Sequence, residues 1–182
     1  PALRDEKEVI YGFLSDGDGA AAKALLDDVW DLGARSEPVR IHPLDWTTGA
    51  SKDSYWRFIF YSLRPTSNLL WAYNRSGDRR YRDKLIDILR SYVAFDATRS
   101  LDRLTFDNRH SAAFRAMVLV NTYGKLRRSG DLPSDFEPEL RAAIFRLGDF
   151  LERKENFEEG QNHGFNEASA LLVITANFPD AP

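Results

Sequence analysis

The chain has 182 residues and a mass of 20.8 kDa, which suffices for one domain with a hydrophobic core. With 43% hydrophobic and 29% charged residues it has the composition of a globular protein, and its net charge of -3 gives no general attraction to nucleic acid or anionic lipid. The absence of cysteine excludes disulfides, thiolate metal sites and thiol nucleophiles, and no apolar run approaches the roughly 20 residues of a membrane span.

Helical patterns of two kinds alternate along the chain. One kind is amphipathic, with polar residues between apolar ones at helical spacing, and the other is apolar nearly all round. In chain order the predicted helices are residues 20–30 (amphipathic), 56–73 (apolar, interrupted at Pro65), 78–95 (amphipathic), 112–123 (apolar), 138–154 (amphipathic) and 165–176 (apolar). No segment shows convincing strand-like alternation, so the predicted fold class is all-α.

The alternation predicts an α/α toroid or an arc of one. The apolar helices start near Tyr55, Asn108 and Asn162. The number of residues between successive starts is about the length of one long helical hairpin. Helices that are apolar on every side form an inner ring, and the amphipathic ones form an outer ring that faces water. Inner helices begin at one common rim. Three segments are therefore expected to meet there: residues 46–56, 107–110 and 162–163.

Three motifs resemble those of one enzyme superfamily. Residues 161–165, Gln-Asn-His-Gly-Phe, resemble the Asn-His-Gly helix start of the heparinase II/III-like polysaccharide lyases, a group that includes oligoalginate lyases. Residues 107–115 resemble its D-x-x-H-x-x-A-x-R helix start, and residues 71–81 resemble its L-x-x-A-Y-x-x-T-G-D-x-x-Y hairpin with Trp and Ser substituted. The motifs occur in the family order and cover about residues 45–178, consistent with the toroid that periodicity predicts independently.

The resemblance implies β-elimination on a uronic-acid polysaccharide, without a cofactor. In that reaction an amide or cation must hydrogen-bond the substrate carboxylate and stabilise an enolate-like transition state, the role that Asn162 matches. His163 matches the family's histidine, either as the base or as a second neutraliser of the carboxylate. The implied partner is an anionic polysaccharide or oligosaccharide, and family analogy implies a periplasmic or secreted enzyme.

The family's catalytic tyrosine and C-terminal β-sheet domain fall beyond Pro182. The expectation is therefore that residues 1–182 form a single helical domain that is part of a larger toroid, and that this chain alone is inactive or weakly active. Its last inner helix would expose apolar surface, which predicts self-association. Basic runs at residues 79–82 and 127–128 fall on outer helices or loops, which favours an unsulfated uronate polymer slightly.

Several rim residues are predicted to contact substrate: Trp46, Trp56, Asn108, Arg109, His110 and Gln161. For the two tryptophans the alternative is a place in the core, since aromatic residues at helical spacing pack there more often than they stack on sugars. His110 either lines the cleft or is a satisfied residue of a helix start. Arg115 lies off the His110 face and is interpreted as a buried ion-pair residue.

Other functions compete with the lyase interpretation. A zinc site of His42, His110 and His163 lacks ligand spacing, so no metal is predicted, and His42, before Pro43, is expected to be structural. A two-carboxylate glycosidase would use the acidic residues that flank the Asn-His pair, which are Glu158, Glu159 and Glu167. Of these, Glu158 and Glu159 are expected to lie in a solvated loop. The main alternative is a non-catalytic helical carbohydrate-binding or scaffold domain.

Overall fold

A computed structural model describes residues 17–33, 37–98, 109–160 and 162–179. Within these ranges the chain forms helices joined by short loops, with one small antiparallel hairpin. The α-helices are α1 Gly19–Leu26, α2 Ser54–Tyr61, α3 Ser67–Ser76, α4 Arg79–Ala97, α5 Arg109–Ser129, α6 Glu137–Glu152 and α7 Asn162–Asn177. Short 3-10 turns cover Thr48–Ser51, Arg64–Thr66 and Lys154–Asn156.

The hairpin was not expected from the sequence. Strands β1 (Val29–Trp30) and β2 (Val39–Arg40) pair antiparallel, with Val29 opposite Arg40. The helix predicted for residues 20–30 ends instead at Leu26, because Asp28 adopts a left-handed conformation with φ of 60° that turns the chain into β1. Strands of two residues are too short for alternation to show in a sequence.

The amphipathic helices of the outer layer are confirmed. Helix α4 begins after Asp78, whose side chain accepts a hydrogen bond from the Arg80 backbone N–H at 3.0 Å. Helix α6 carries Pro138 in its first turn, where the missing N–H costs no hydrogen bond. Leu85, Leu89 and Ile144 are fully buried on their inner faces, so each helix covers the core with one side.

Helix α5 is the centre of the molecule. Every residue from Ser111 to Val120 is buried, and the helix packs against α6, α7 and α2. Arg115 is fully buried, with one guanidinium nitrogen donating to the Tyr61 carbonyl at 2.7 Å and its charge over the Tyr92 ring at 5.2 Å. The alternation of α5 and α7 inside with α4 and α6 outside makes the fold an all-α arc of an α/α toroid, as predicted.

Helix α7 departs from its predicted full burial. Phe165 is 73% exposed and Leu172 is 60% exposed, while Val173 and Ile174 on the other side face the core. The apolar pattern identified the helix correctly but could not show that only one of its faces has a neighbour among the described residues.

Candidate functional site

The starts of α5 and α7 bring two histidines into contact. The His110 and His163 rings stack with their centroids 4.1 Å apart and their planes 29° apart. Phe58 of α2 stacks on His110 at 4.6 Å and 21°, which makes a layered stack of three rings, and Phe114 meets His110 edge-on at 5.0 Å. The three inner helical segments therefore meet at one rim through their side chains.

His163 is paired with a carboxylate. Its Nδ1 lies 2.8 Å from Glu158 Oε2, and both side chains are about one-third exposed. A neutral imidazole in this position donates its Nδ1–H to the carboxylate, which leaves Nε2 with a free lone pair. The arrangement orients His163 to accept a proton from a ligand.

The loop that carries Glu158 is held by two features of α7. Glu167, fully buried, accepts the Glu158 backbone N–H through Oε2 at 2.9 Å. Gly164 allows the loop to approach, because a Cβ at that position would lie 2.3 Å from the Glu158 carbonyl oxygen. The glycine of the Asn-His-Gly motif is thus required for the contact between the loop and the helix.

His110 is held neutral near pH 7. Its pKa is lowered to about 4, chiefly by burial and in smaller part by the neighbouring His163 and Arg64, while Glu158 acts in the opposite direction. The Asn166 side-chain amide donates to His110 Nε2 at 3.0 Å, which leaves the ring proton on Nδ1. His110 therefore supports His163 as an uncharged stacking partner.

Asn162 stands beside this pair as the first residue of α7. Its side chain is exposed and has no hydrogen-bond partner in the part of the chain that the structure describes. Arg109, the first residue of α5, is half-buried one position before His110. Asn108 and Gln161, also predicted to contact substrate, lie outside the described residues.

The tryptophans predicted to stack on sugar are core residues. Trp46 is 3% exposed, donates its Nε1–H to Ser91 Oγ at 3.0 Å and packs its ring against Phe60 at 5.1 Å. Trp56 is 5% exposed and packs on Phe60 at 4.9 Å. Neither ring has a face open to a ligand, so the sugar-stacking prediction is wrong for both, and the core alternative describes them.

Three members of the site were not identified from the sequence, and a fourth, Glu158, was named only as a carboxylate of the glycosidase alternative. Asn166 carries a recognisable signal, because it lies three residues after His163 on the same side of α7. Glu158 was expected in a solvated loop, and only the tertiary contact with His163 shows its part in the site. In the sequence Phe58 has the pattern of an ordinary core residue. Arg64, over the Phe114 ring at 5.1 Å, follows an irregular turn that no periodicity marks.

The described residues contain no group of three His, Cys, Asp or Glu side chains placed to hold a metal ion. His42 pairs with Asp28 at 2.8 Å, away from the other two histidines, so the three-histidine zinc alternative does not form. Of the three carboxylates in the glycosidase alternative, Glu167 is fully buried and therefore not open to substrate. None of the described helices meets the length and hydropathy of a membrane span.

No protein-family model matches the chain, and no curated protein matches it by sequence. Among solved structures it is similar to the crystal structure of heparan sulfate lyase HepC from Pedobacter heparinus, with a TM-score of 0.77 and 18% identity. The match covers 89% of this chain and 26% of that chain, so the present chain corresponds to about a quarter of the lyase. This likeness shows that the chain shares the fold of part of that protein, an arc of an α/α toroid.

Proposed function

We propose that the chain is the toroid portion of a polysaccharide lyase that cleaves a uronic-acid-containing polysaccharide by β-elimination. The observation that carries the proposal is the Glu158–His163 pair, which lies beside the exposed amide of Asn162 at the rim of the inner helices. Both catalytic candidates from the sequence are adjacent at this rim, in a fold shared with a heparan sulfate lyase.

The chemistry assigns a step to each residue. The Asn162 amide hydrogen-bonds the uronate carboxylate and stabilises the negative charge that develops when the adjacent carbon loses its proton. His163 accepts that proton at Nε2, and Glu158 stabilises the resulting imidazolium through Nδ1. The electron pair forms a carbon–carbon double bond as the glycosidic C–O bond breaks, and the leaving oxygen takes a proton from an acid.

That acid is the part of the mechanism that these residues do not supply. In the family that the motifs resemble, a tyrosine from a later hairpin is expected to serve, so we infer that this single helical domain belongs to a larger toroid. The isolated chain is then weakly active or inactive. By the same analogy the substrate is an anionic polymer met in the periplasm or outside the cell.

The test is the ultraviolet absorbance of the unsaturated uronate product. It is measured with the 182-residue chain and with the longest available protein that contains it, on alginate, heparan sulfate, hyaluronan and glucuronan. Asn162→Ala should lower turnover in the longer protein at least a hundredfold, as expected when a donor to a developing oxyanion is removed. His163→Ala should abolish it.

The matched control is Asn177→Ala, at the other end of the same helix and about 22 Å from Asn162 at 1.5 Å per residue. It should leave turnover unchanged. Full turnover in Asn162→Ala would contradict the assignment. Oligosaccharide binding without elimination on any polymer would favour a non-catalytic binding domain, and a saturated product would indicate a glycosidase.

A further inference from the structure

Arg64 is a half-buried cation next to the histidine stack. Its guanidinium lies over the Phe114 ring at 5.1 Å, and the same ring meets His110 edge-on at 5.0 Å. Its charge is close enough to contribute to the lowered pKa of His110. Arg64 therefore faces the site described above from the turn between α2 and α3.

Two other partly buried arginines, Arg82 and Arg146, have carboxylate partners. Arg82 lies 3.1 Å from Asp131, and Arg146 lies 2.9 Å from the buried Asp96; their side chains are 19% and 35% exposed. Such pairing is what physical chemistry requires, since a charge removed from water is costly unless it is compensated. The described residues place no carboxylate within ion-pair distance of Arg64.

The environment of Arg64 disfavours its charged form. Burial lowers the pKa of its guanidinium, with only Tyr55 acting in the opposite direction, and an arginine nevertheless stays charged at neutral pH. Stacking on a ring leaves the in-plane N–H donors of a guanidinium available for a planar or tetrahedral oxyanion. An arriving anion would supply the compensating charge that the described residues do not place beside Arg64.

We propose that Arg64 binds an oxyanion of the sugar chain, a carboxylate or a sulfate, and positions that chain against His163. The proposal rests on the proposed function for the identity of the ligand as an acidic sugar. It assigns Arg64 a binding role beside that of Asn162 and gives the site its selectivity for acidic over neutral polymers.

The test compares two oligosaccharides with the same backbone linkage. Glucuronan oligomers carry a carboxylate on each β-1,4-linked ring, and cello-oligomers carry none. Binding to the 182-residue chain is followed by calorimetry at fixed ionic strength. We expect the wild-type chain to bind the glucuronan oligomer at least tenfold more tightly than the cello-oligomer, because charge-assisted hydrogen bonds are the strong ones.

Arg64→Gln should remove this preference, and Arg64→Lys should retain only part of it, since lysine keeps the charge but loses the planar fork. The control is Arg75→Gln, an exposed arginine stacked on Trp71 at 5.3 Å, which should bind as wild type does. Circular dichroism of each variant verifies the fold, and Arg64→Lys keeps the test decisive if the glutamine variant does not fold. A sulfated heparan oligomer distinguishes the two anions: tighter binding through Arg64 than to glucuronan assigns the subsite to sulfate.

Equal affinity of wild type and both Arg64 variants for the glucuronan oligomer would overturn the proposal. The result is independent of the elimination assay. Carboxylate-selective binding through Arg64, with no product from the longer protein on any polymer, would remove the lyase assignment and leave the subsite. Product formation by the longer protein with unchanged KM in Arg64→Gln would remove the subsite and leave the lyase.

Discussion

Helices α5 and α7 have the same apolar pattern and occupy equivalent places in the toroid, yet their surroundings differ. Helix α5 is buried along its first half on every side, while α7 leaves Phe165 and Leu172 in solvent. Each helix carries a histidine in its first turn, and the two rings stack at 4.1 Å. Equivalent sequence positions therefore acquire different chemistry from what packs around them.

The two histidines differ in burial and therefore in their ability to take up a proton. His110 on α5 is desolvated, and its pKa of about 4 keeps it neutral. His163 on α7 remains accessible and has Glu158 as a partner at Nδ1. In the proposed mechanism His110 is therefore a support for the stack, and His163 is the group that exchanges a proton with the ligand.

The largest expected difference between α5 and α7 is in the free energy of unfolding lost when a leucine side chain is shortened. Leu119→Ala in α5 removes a fully buried side chain and should lower the free energy of unfolding by about 2–5 kcal/mol. Leu172→Ala in α7 removes a side chain that is 60% exposed and should cost about 0.5 kcal/mol or less. Urea denaturation followed by circular dichroism measures both. Similar losses would mean that α7 is covered in solution as completely as α5.

The next effect is on the pH dependence of stability. Because the pKa of His110 in the folded chain, about 4, lies below its ordinary value of 6.5, the unfolded chain takes up a proton first as the pH falls. The contribution of neutral His110 to the free energy of unfolding should therefore be fully present above pH 6.5 and should decline as the pH falls toward 4. The loss attributable to His110 should be about 1–2 kcal/mol after allowance for solvent screening at a partly exposed ring.

His110→Phe keeps an aromatic ring in the stack and removes the titrating group. Between pH 7 and pH 4.5 the unfolding free energy of wild type should fall by about 1–2 kcal/mol more than that of the variant, because only wild type carries the titrating ring. A constant difference between the two proteins at both pH values would show that His110 titrates alike in folded and unfolded chains.

The smallest effect concerns the open face of α7. Exposed apolar side chains at positions 165 and 172 lie two turns apart on one face and favour self-association. The sedimentation coefficient of wild type should rise with concentration, and the double variant Phe165→Ser, Leu172→Ser should sediment as a monomer throughout. Identical behaviour of the two proteins would place any association elsewhere on the surface.

The sequence predicted the helices of this fold because their burial patterns repeat with helical periodicity. The starts of α4 and α6 followed from Asp78 and Pro138, whose effects on helix starts are local. The β1–β2 hairpin depends on the conformation of one turn, and the exposure of one face of α7 depends on how many helices pack against it. Neither property produces a periodic pattern in the sequence.

The residues of the candidate site also differ in whether the sequence alone could identify them. His110, Asn162 and His163 were identified because they lie in short motifs at helix starts. Glu158 and Arg64 lie in irregular segments and join the site only through tertiary contacts. Trp46 was placed in the site by its proximity in sequence, but its large apolar ring is buried in the core instead.

The most direct test of the account is a titration of the chain's imidazole signals by nuclear magnetic resonance. The chain has 3 histidines, so each ring can be assigned by substitution, and His42 serves as an internal control because it pairs with Asp28 outside the stack. Addition of glucuronan oligomers at constant pH should shift the His163 and His110 signals together with saturation and leave those of His42 in place. Unchanged His163 signals at saturating oligomer would contradict the claim that the rim of α5 and α7 is the sugar-binding site.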